Sequence, residues 1–178
     1  ARSAWALSAS PGGYTQAWSP PAVGDVDGDG APEIAVMALY GTDGELVVVD
    51  GATGAVEWSV KDGLAGLSGT AVVDLDDDGA SEVLAHGVDG RVRAYRGDGS
   101  LWWVSAETPE AYALVSFVVD DLDGDGAPEV IADDLVMDGA SGATRARLGT
   151  GGQIARQAAV ADLDRDGSVE VYFQGEAF

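Results

Sequence analysis

Asp25, Asp27, Asp29 and Glu33 occupy the first, third, fifth and ninth positions of the stretch Asp-Val-Asp-Gly-Asp-Gly-Ala-Pro-Glu. The same spacing returns at Asp74, Asp76, Asp78 and Glu82, at Asp121, Asp123, Asp125 and Glu129, and at Asp162, Asp164, Asp166 and Glu170. Alternate carboxylates converge when such a chain curls, and converging carboxylates suit a hard divalent cation. Calcium takes roughly six to eight oxygen ligands at about 2.3–2.6 Å. The three aspartates, the ninth-position glutamate and the main-chain carbonyl of the seventh residue (Ala31, Ala80, Ala127 and Ser168) supply a set of that kind. Glycine at the sixth position, Gly30, Gly79, Gly126 and Gly167, permits the sharp turn. Magnesium keeps its own water and is poorly served by an all-protein cage, and transition metals prefer nitrogen or sulfur. The expected cofactor is therefore Ca2+, up to four ions, one per loop.

The position of the glutamate decides which elements carry the loops. A helix-flanked EF-hand loop closes its shell with a glutamate at the twelfth position. Here that position holds Val36, Ala85, Ala132 and Phe173, none of which ligates through its side chain. The flanks read as strands. Short valine-rich runs precede each loop, at 21–24, 70–73, 116–119 and 158–161, and others follow, at 33–36, 82–85, 129–132 and 170–173. A third run comes at 45–49, 91–95 and 135–137. Glycine-rich turns then lead to a fourth at 55–60, 100–105 and 143–148.

The loops begin 49, 47 and 41 residues apart, the period of a propeller blade. The chain is expected to be all-β, a β-propeller of four-stranded antiparallel blades, with no helical period over three turns. The blade units run approximately over 21–60, 69–105, 114–148 and 157–178. Residues 1–10, carrying Trp5, form an orphan outer strand, and unit four stops after its second strand. Three full blades plus strands from a fourth make a partial ring. An open blade edge invites pairing with another chain.

Composition bounds the function. The 178 residues carry a formal charge of −22, and the first, third, fifth and ninth positions of the four loops hold sixteen of the 31 acidic residues. Such a charge repels nucleic acid and anionic membrane surfaces. No apolar run reaches the roughly 18 residues of a membrane span. Cysteine is absent, so disulfides do not hold the chain. One lysine against eight arginines, with abundant alanine and glycine, suggests a bacterial source.

The stretch from Pro21 to Val36, with its counterparts in the other units, resembles the FG-GAP/VCBS repeat, the blade of integrin-α-like propellers. That resemblance implies calcium in the hairpin between the first two strands of a blade. It also implies a secreted, cell-surface or periplasmic setting and binding of a protein or carbohydrate. The residues point to a binding or adhesion module and not an enzyme, because no nucleophile–base pair or catalytic histidine constellation appears. The rival readings are a calcium-dependent polysaccharide lyase, whose propellers carry similar loops, and a structural piece that assembles with another chain. Trp18, ahead of Ser19-Pro20-Pro21, is the expected ligand contact, since rim tryptophans stack on sugars. Arg96-Gly97-Asp98 reads as a hairpin turn, His86 as a packed residue, Arg91, Arg93 and Arg96 as partners of local carboxylates, and Trp58, Trp102 and Trp103 as blade packing.

Overall fold

The computed structural model describes residues 17, 19–40, 43–109, 115–148, 158–173 and 176–177. They form strands and turns only. The first sheet comprises β1 (Ala22–Gly24), β2 (Glu33–Tyr40), β3 (Asp43–Asp50) and β4 (Val56–Leu64). The second comprises β5 (Ala71–Val73), β6 (Glu82–His86), β7 (Val92–Tyr95) and β8 (Leu101–Val104). The third comprises β9 (Phe117–Asp120), β10 (Glu129–Ala132), β11 (Leu135–Asp138) and β12 (Thr144–Arg147). The fourth comprises β13 (Ala158–Ala161), β14 (Glu170–Phe173) and β15 (Glu176–Ala177). Each sheet is an antiparallel meander in chain order. No described helix is long and apolar enough to cross a membrane.

β1, β5, β9 and β13 lie side by side in succession, each sheet running outward from its first strand. This is the arrangement of propeller blades, here in a ring that does not close among the described residues. One expectation needs correction. Unit four does not stop after its second strand, because Glu176–Ala177 pairs with Tyr172 and Phe173 as a short third strand. Gln174-Gly175-Glu176-Ala177 carries no apolar alternation from which a strand could be read. The orphan strand expected over residues 1–10, with Trp5, and the ligand contact Trp18 lie outside the described residues.

The core lies between blades. Met37, Leu46, Val48 and Leu64 of the first pack on Val83, Ala85 and Tyr95 of the second, and Leu84, Val92 and Trp103 of the second on Val130, Leu135 and Met137 of the third. The middle strands β6, β7 and β10 are buried along their whole length; β6 and β10 carry the apolar runs Val83-Leu84-Ala85 and Val130-Ile131-Ala132, while β7 buries Arg93 against its ion pair with Asp89. A repeated contact fixes the spacing of the first three blades. The Trp58 indole N–H donates to the Gly97 carbonyl of the next blade at 2.7 Å, and that of Trp103 to the Gly139 carbonyl at 2.9 Å. Each ring also lies on the last glycine of that neighbouring turn. A Cβ on Gly99 would sit 3.0 Å from the Trp58 ring, and one on Gly142 would sit 2.4 Å from Trp103. Both glycines have positive φ, 80° and 68°. Arg96-Gly97-Asp98 is thus part of a hairpin turn with a packing role.

His86 ends β6 fully buried, its Nδ1 3.3 Å from the Ser68 hydroxyl. Nearby, Arg93 pairs with Asp89 at 2.8 Å and with Asp62 at 3.5 Å. Hydrogen bonds from Arg93 hold the Asp89 carboxyl down at about 2. Burial pushes the His86 imidazole below its ordinary value. The folded protein therefore favours neutral His86, whereas the unfolded chain takes up a proton near pH ~6.5. The stability this contributes is complete above about pH 6.5 and is lost as pH falls toward the lowered folded value. Urea unfolding of wild type and His86→Gln, in one buffer series from pH 7.5 to pH 5, should show wild type losing stability that the variant does not. Parallel curves would remove His86 from the pH response.

Candidate metal centres

Every acidic loop joins the first two strands of its sheet, so one geometry recurs four times. β1 and β2 pair Gly24 with Glu33, and β9 and β10 pair Asp120 with Glu129. The ninth-position glutamate is therefore the first residue of the returning strand, rooted in the sheet. Glu33, Glu82 and Glu129 are almost completely buried. One oxygen of each is spent on the loop: Oε2 of Glu33, Glu82, Glu129 and Glu170 accepts the main-chain N–H of Val26, Leu75, Leu122 and Leu163, at 2.8, 3.0, 2.9 and 2.8 Å.

The first aspartate gathers the turn. Asp25 accepts from the N–H groups of Gly28 and Gly30 at 2.8 and 2.9 Å. Asp74 accepts from Asp78 and Gly79, Asp121 from Gly124, Asp125 and Gly126, and Asp162 from Asp166 and Gly167. The fifth-position aspartate accepts from the seventh residue, Ala31, Ala80, Ala127 or Ser168, at 2.7–2.9 Å. That contact orients the very residues whose carbonyls complete the expected donor set. Backbone conformation enforces the curl. The sixth-position glycines have φ between 86° and 95°, with open space where a Cβ would stand at each. The fourth position is left-handed as well, at Gly28, Asp77, Gly124 and Arg165, with φ from 59° to 77°. Sequence reading missed that requirement because two of the four residues are not glycine.

The result is a knot of like charges. Asp25, Asp27 and Asp29 bring one carboxylate oxygen each within 4.8 Å of one another, and so do Asp74, Asp76 and Asp78. In the third and fourth loops the trios are Asp121, Asp123 and Glu129, and Asp162, Asp164 and Glu170. Burial pushes the Glu33 carboxyl above the usual carboxylate range, and Asp27, Asp29 and Asp25 push the same way. Burial likewise raises Glu82 and Glu129. All these donors are oxygens, and all four loops can hold a metal ion.

Residues 74–132 match the family of FG-GAP-like repeats. This span carries the repeat. It runs from the loop of the second blade to the end of β10 in the third and includes the acidic loops of both. No curated protein matches the chain significantly. Among solved structures, the Vibrio cholerae biofilm matrix protein Bap1 is similar over 98% of this chain and 31% of its own, at 20% identity and a TM-score of 0.74. Rhamnogalacturonan lyase PL11 of Bacillus licheniformis is similar over 89% of this chain and 29% of its own, at 20% identity and a TM-score of 0.63. BamB from Moraxella catarrhalis is similar over 88% and 47%, at 16% identity and a TM-score of 0.57. At these identities the likeness is one of fold. The chain spans less than half the length of each of these neighbours.

Two residues near the acidic loops were not foreseen from sequence. Each fourth strand has a bulge where it meets the third, between the pairs Val49–Val56 and Val48–Trp58, Tyr95–Leu101 and Ala94–Trp103, and Met137–Thr144 and Val136–Ala146. The extra residue is Glu57 in the first blade, Trp102 in the second and Arg145 in the third. A bulge re-aims its side chain. Arg145 Nη1 lies 2.9 Å from both Asp123 Oδ2 and Glu129 Oε1, and its Nη2 lies 2.7 Å from Asp138. In the second blade Arg96 stacks over Trp102, 4.2 Å from the ring centroid, with Nη1 3.5 Å from Asp76 and 4.0 Å from Glu82. Burial raises the Glu57 carboxyl, with Glu33 and Asp27 adding to the rise.

The curl of these loops rests on backbone freedom more than on space. Gly79→Ala introduces a methyl that meets nothing within 4 Å, yet the residue must keep φ near 95°. Chemical denaturation should show a loss of about 1–2 kcal/mol. No loss would mean that the loop does not hold the left-handed turn in solution.

Proposed function

We propose that the chain is a calcium-stabilised, extracellular or periplasmic β-propeller module of a bacterial protein, binding a protein or carbohydrate through its rim loops without catalysis. The observation that carries this reading is the fourfold recurrence of one carboxylate knot at one place in each blade. A converging set of carboxylates costs stability until a cation neutralises it, and no nitrogen or sulfur donor competes. The loop joins the two inner strands, so an ion held by Asp25, Asp27, Asp29, the Ala31 carbonyl and Glu33, and by their counterparts, would tie those strands together. Up to four Ca2+ would serve as staples in a chain without disulfides. Stabilisation then follows from linkage: an ion that binds the folded state and not the unfolded chain raises stability with its concentration.

The module reading for the rims draws on the fold it shares with a biofilm matrix protein. Sugar-facing and protein-facing surfaces both suit such a propeller, and Trp18 is the contact proposed for the ligand. A second reading, polysaccharide lyase chemistry, is favoured by the fold shared with rhamnogalacturonan lyases. Against it, the lone histidine of the chain is buried between strands, away from the loops.

Chelation should lower the melting temperature sharply, and calcium should restore it more fully than magnesium at equal concentration. An unchanged melting curve in EDTA would sink the calcium reading. On the same protein with calcium, acidic and neutral polysaccharides should be retained without the appearance of new unsaturated ends. Release of such ends would favour the lyase.

A further inference from the structure

We propose that Arg145 is the resident cation of the third loop, so that the first three loops are not equivalent and the residue at the bulge of the fourth strand sets how strongly each of those three blades takes calcium. The inference rests on the calcium reading above and goes beyond it by grading the sites.

The Arg145 guanidinium stands on two residues of the donor set, Asp123 and Glu129, at 2.9 Å each, with Asp125 at 4.0 Å. Its other nitrogen is anchored to Asp138 at 2.7 Å. It is a tethered cation that already offsets the knot of charge, with its other end fixed in the β11–β12 turn. Glu129 is buried, so this contact is shielded from water on one side. An incoming ion must displace the guanidinium from Asp123 and Glu129 or accept fewer donors, and either way it binds more weakly.

The first loop is the reverse case. The bulge position carries Glu57, a fifth carboxylate whose charge adds to that of Glu33 and Asp27. No basic side chain among the described residues pairs with Asp25, Asp27, Asp29 or Glu33. In loops of this kind affinity rises with ligand charge count. The second loop is intermediate. Its bulge residue Trp102 holds Arg96 by its face, leaving the guanidinium 3.5 Å from Asp76 and 4.0 Å from Glu82. The expected order of affinity is first loop, then second, then third. The third blade keeps its shape without calcium, and the first does not.

Two substitutions test this, measured by calorimetric calcium titration and by thermal melting in EDTA and in excess calcium. Arg145→Gln should tighten one binding event by about tenfold or more. It should lower the melting temperature relative to wild type in EDTA and not in excess calcium. A purely structural role for Arg145 would lower the melting temperature in both media and leave the titration unchanged, which would overturn the proposal. Glu57→Arg, on an exposed strand, transplants the arginine into the first blade and should weaken one binding event by about tenfold or more while reducing the loss caused by EDTA. An unchanged titration for this variant would also overturn it. If wild type takes up no calcium, the calcium reading and this inference fail together. If wild type binds calcium and neither variant alters the isotherm, only the grading of the sites fails.

Discussion

Like charge brought to one point governs this molecule. Four times the chain brings three carboxylates within 4.8 Å of one another, from three aspartates or from two aspartates and the glutamate, and each turn must be held against its own repulsion. The restraint is mostly backbone. N–H groups from the second, sixth and seventh positions reach carboxylate oxygens in every loop, and left-handed residues at the fourth and sixth positions make the curl that aims them. The remaining charge calls for a cation, either a metal ion or an arginine from the same blade.

The blades supply the rigid frame. Because the glutamate is the first residue of the second strand, its place is set by strand pairing and by the apolar packing behind it, not by the loop. The packing in turn depends on neighbours. Val26 and Leu75 follow the first aspartate of their loops and are buried, whereas Leu163, at the same place in the fourth sheet, is 63% exposed. Trp58 and Trp103 act across the same seams, each hydrogen-bonded to a glycine carbonyl of the adjoining turn. Ions between inner strands and tryptophans between outer ones would thus stabilise different joints of one array.

The arginines show how a repeat diverges without losing its fold. All three complete blades have the same bulge, and the backbone tolerates glutamate, tryptophan or arginine there. The choice changes the local charge by as much as two units while leaving the strands paired. Arg93 and Arg147 do separate work at the far ends of the blades. Arg93 holds Asp89 and Asp62, and Arg147 holds Asp134, Glu107 and the Thr108 carbonyl. Sequence reading took the cluster of Arg91, Arg93 and Arg96 to offset local carboxylates, and the ion pairs of Arg93 and Arg96 agree with that.

Much of this was legible from residue order, because the signals are local. Loop spacing, the glutamate at the ninth position, glycine turns and short valine-rich runs each depend on a few adjacent residues, and together they pointed to an all-β fold of antiparallel, blade-like sheets. The second strands were legible from their first residues, and β10 and β14 over their whole length. The full length of β2 was not, since it runs on to Tyr40 through pairing with β3. What only folding decided involves partners far apart in the chain. Arg145 lies more than twenty residues from Asp123, and Glu57 as far from Glu33. Lining up Asp50-Gly51-Ala52-Thr53-Gly54 with Asp138-Gly139-Ala140-Ser141-Gly142 puts Glu57 opposite Arg145, but nothing in either string tells that a bulge follows. The bulge turns those side chains toward the loop, and it exists because a third strand and a fourth must keep pairing around one extra residue. Composition could count the charges of this protein; only the register of its sheets decided which of them meet.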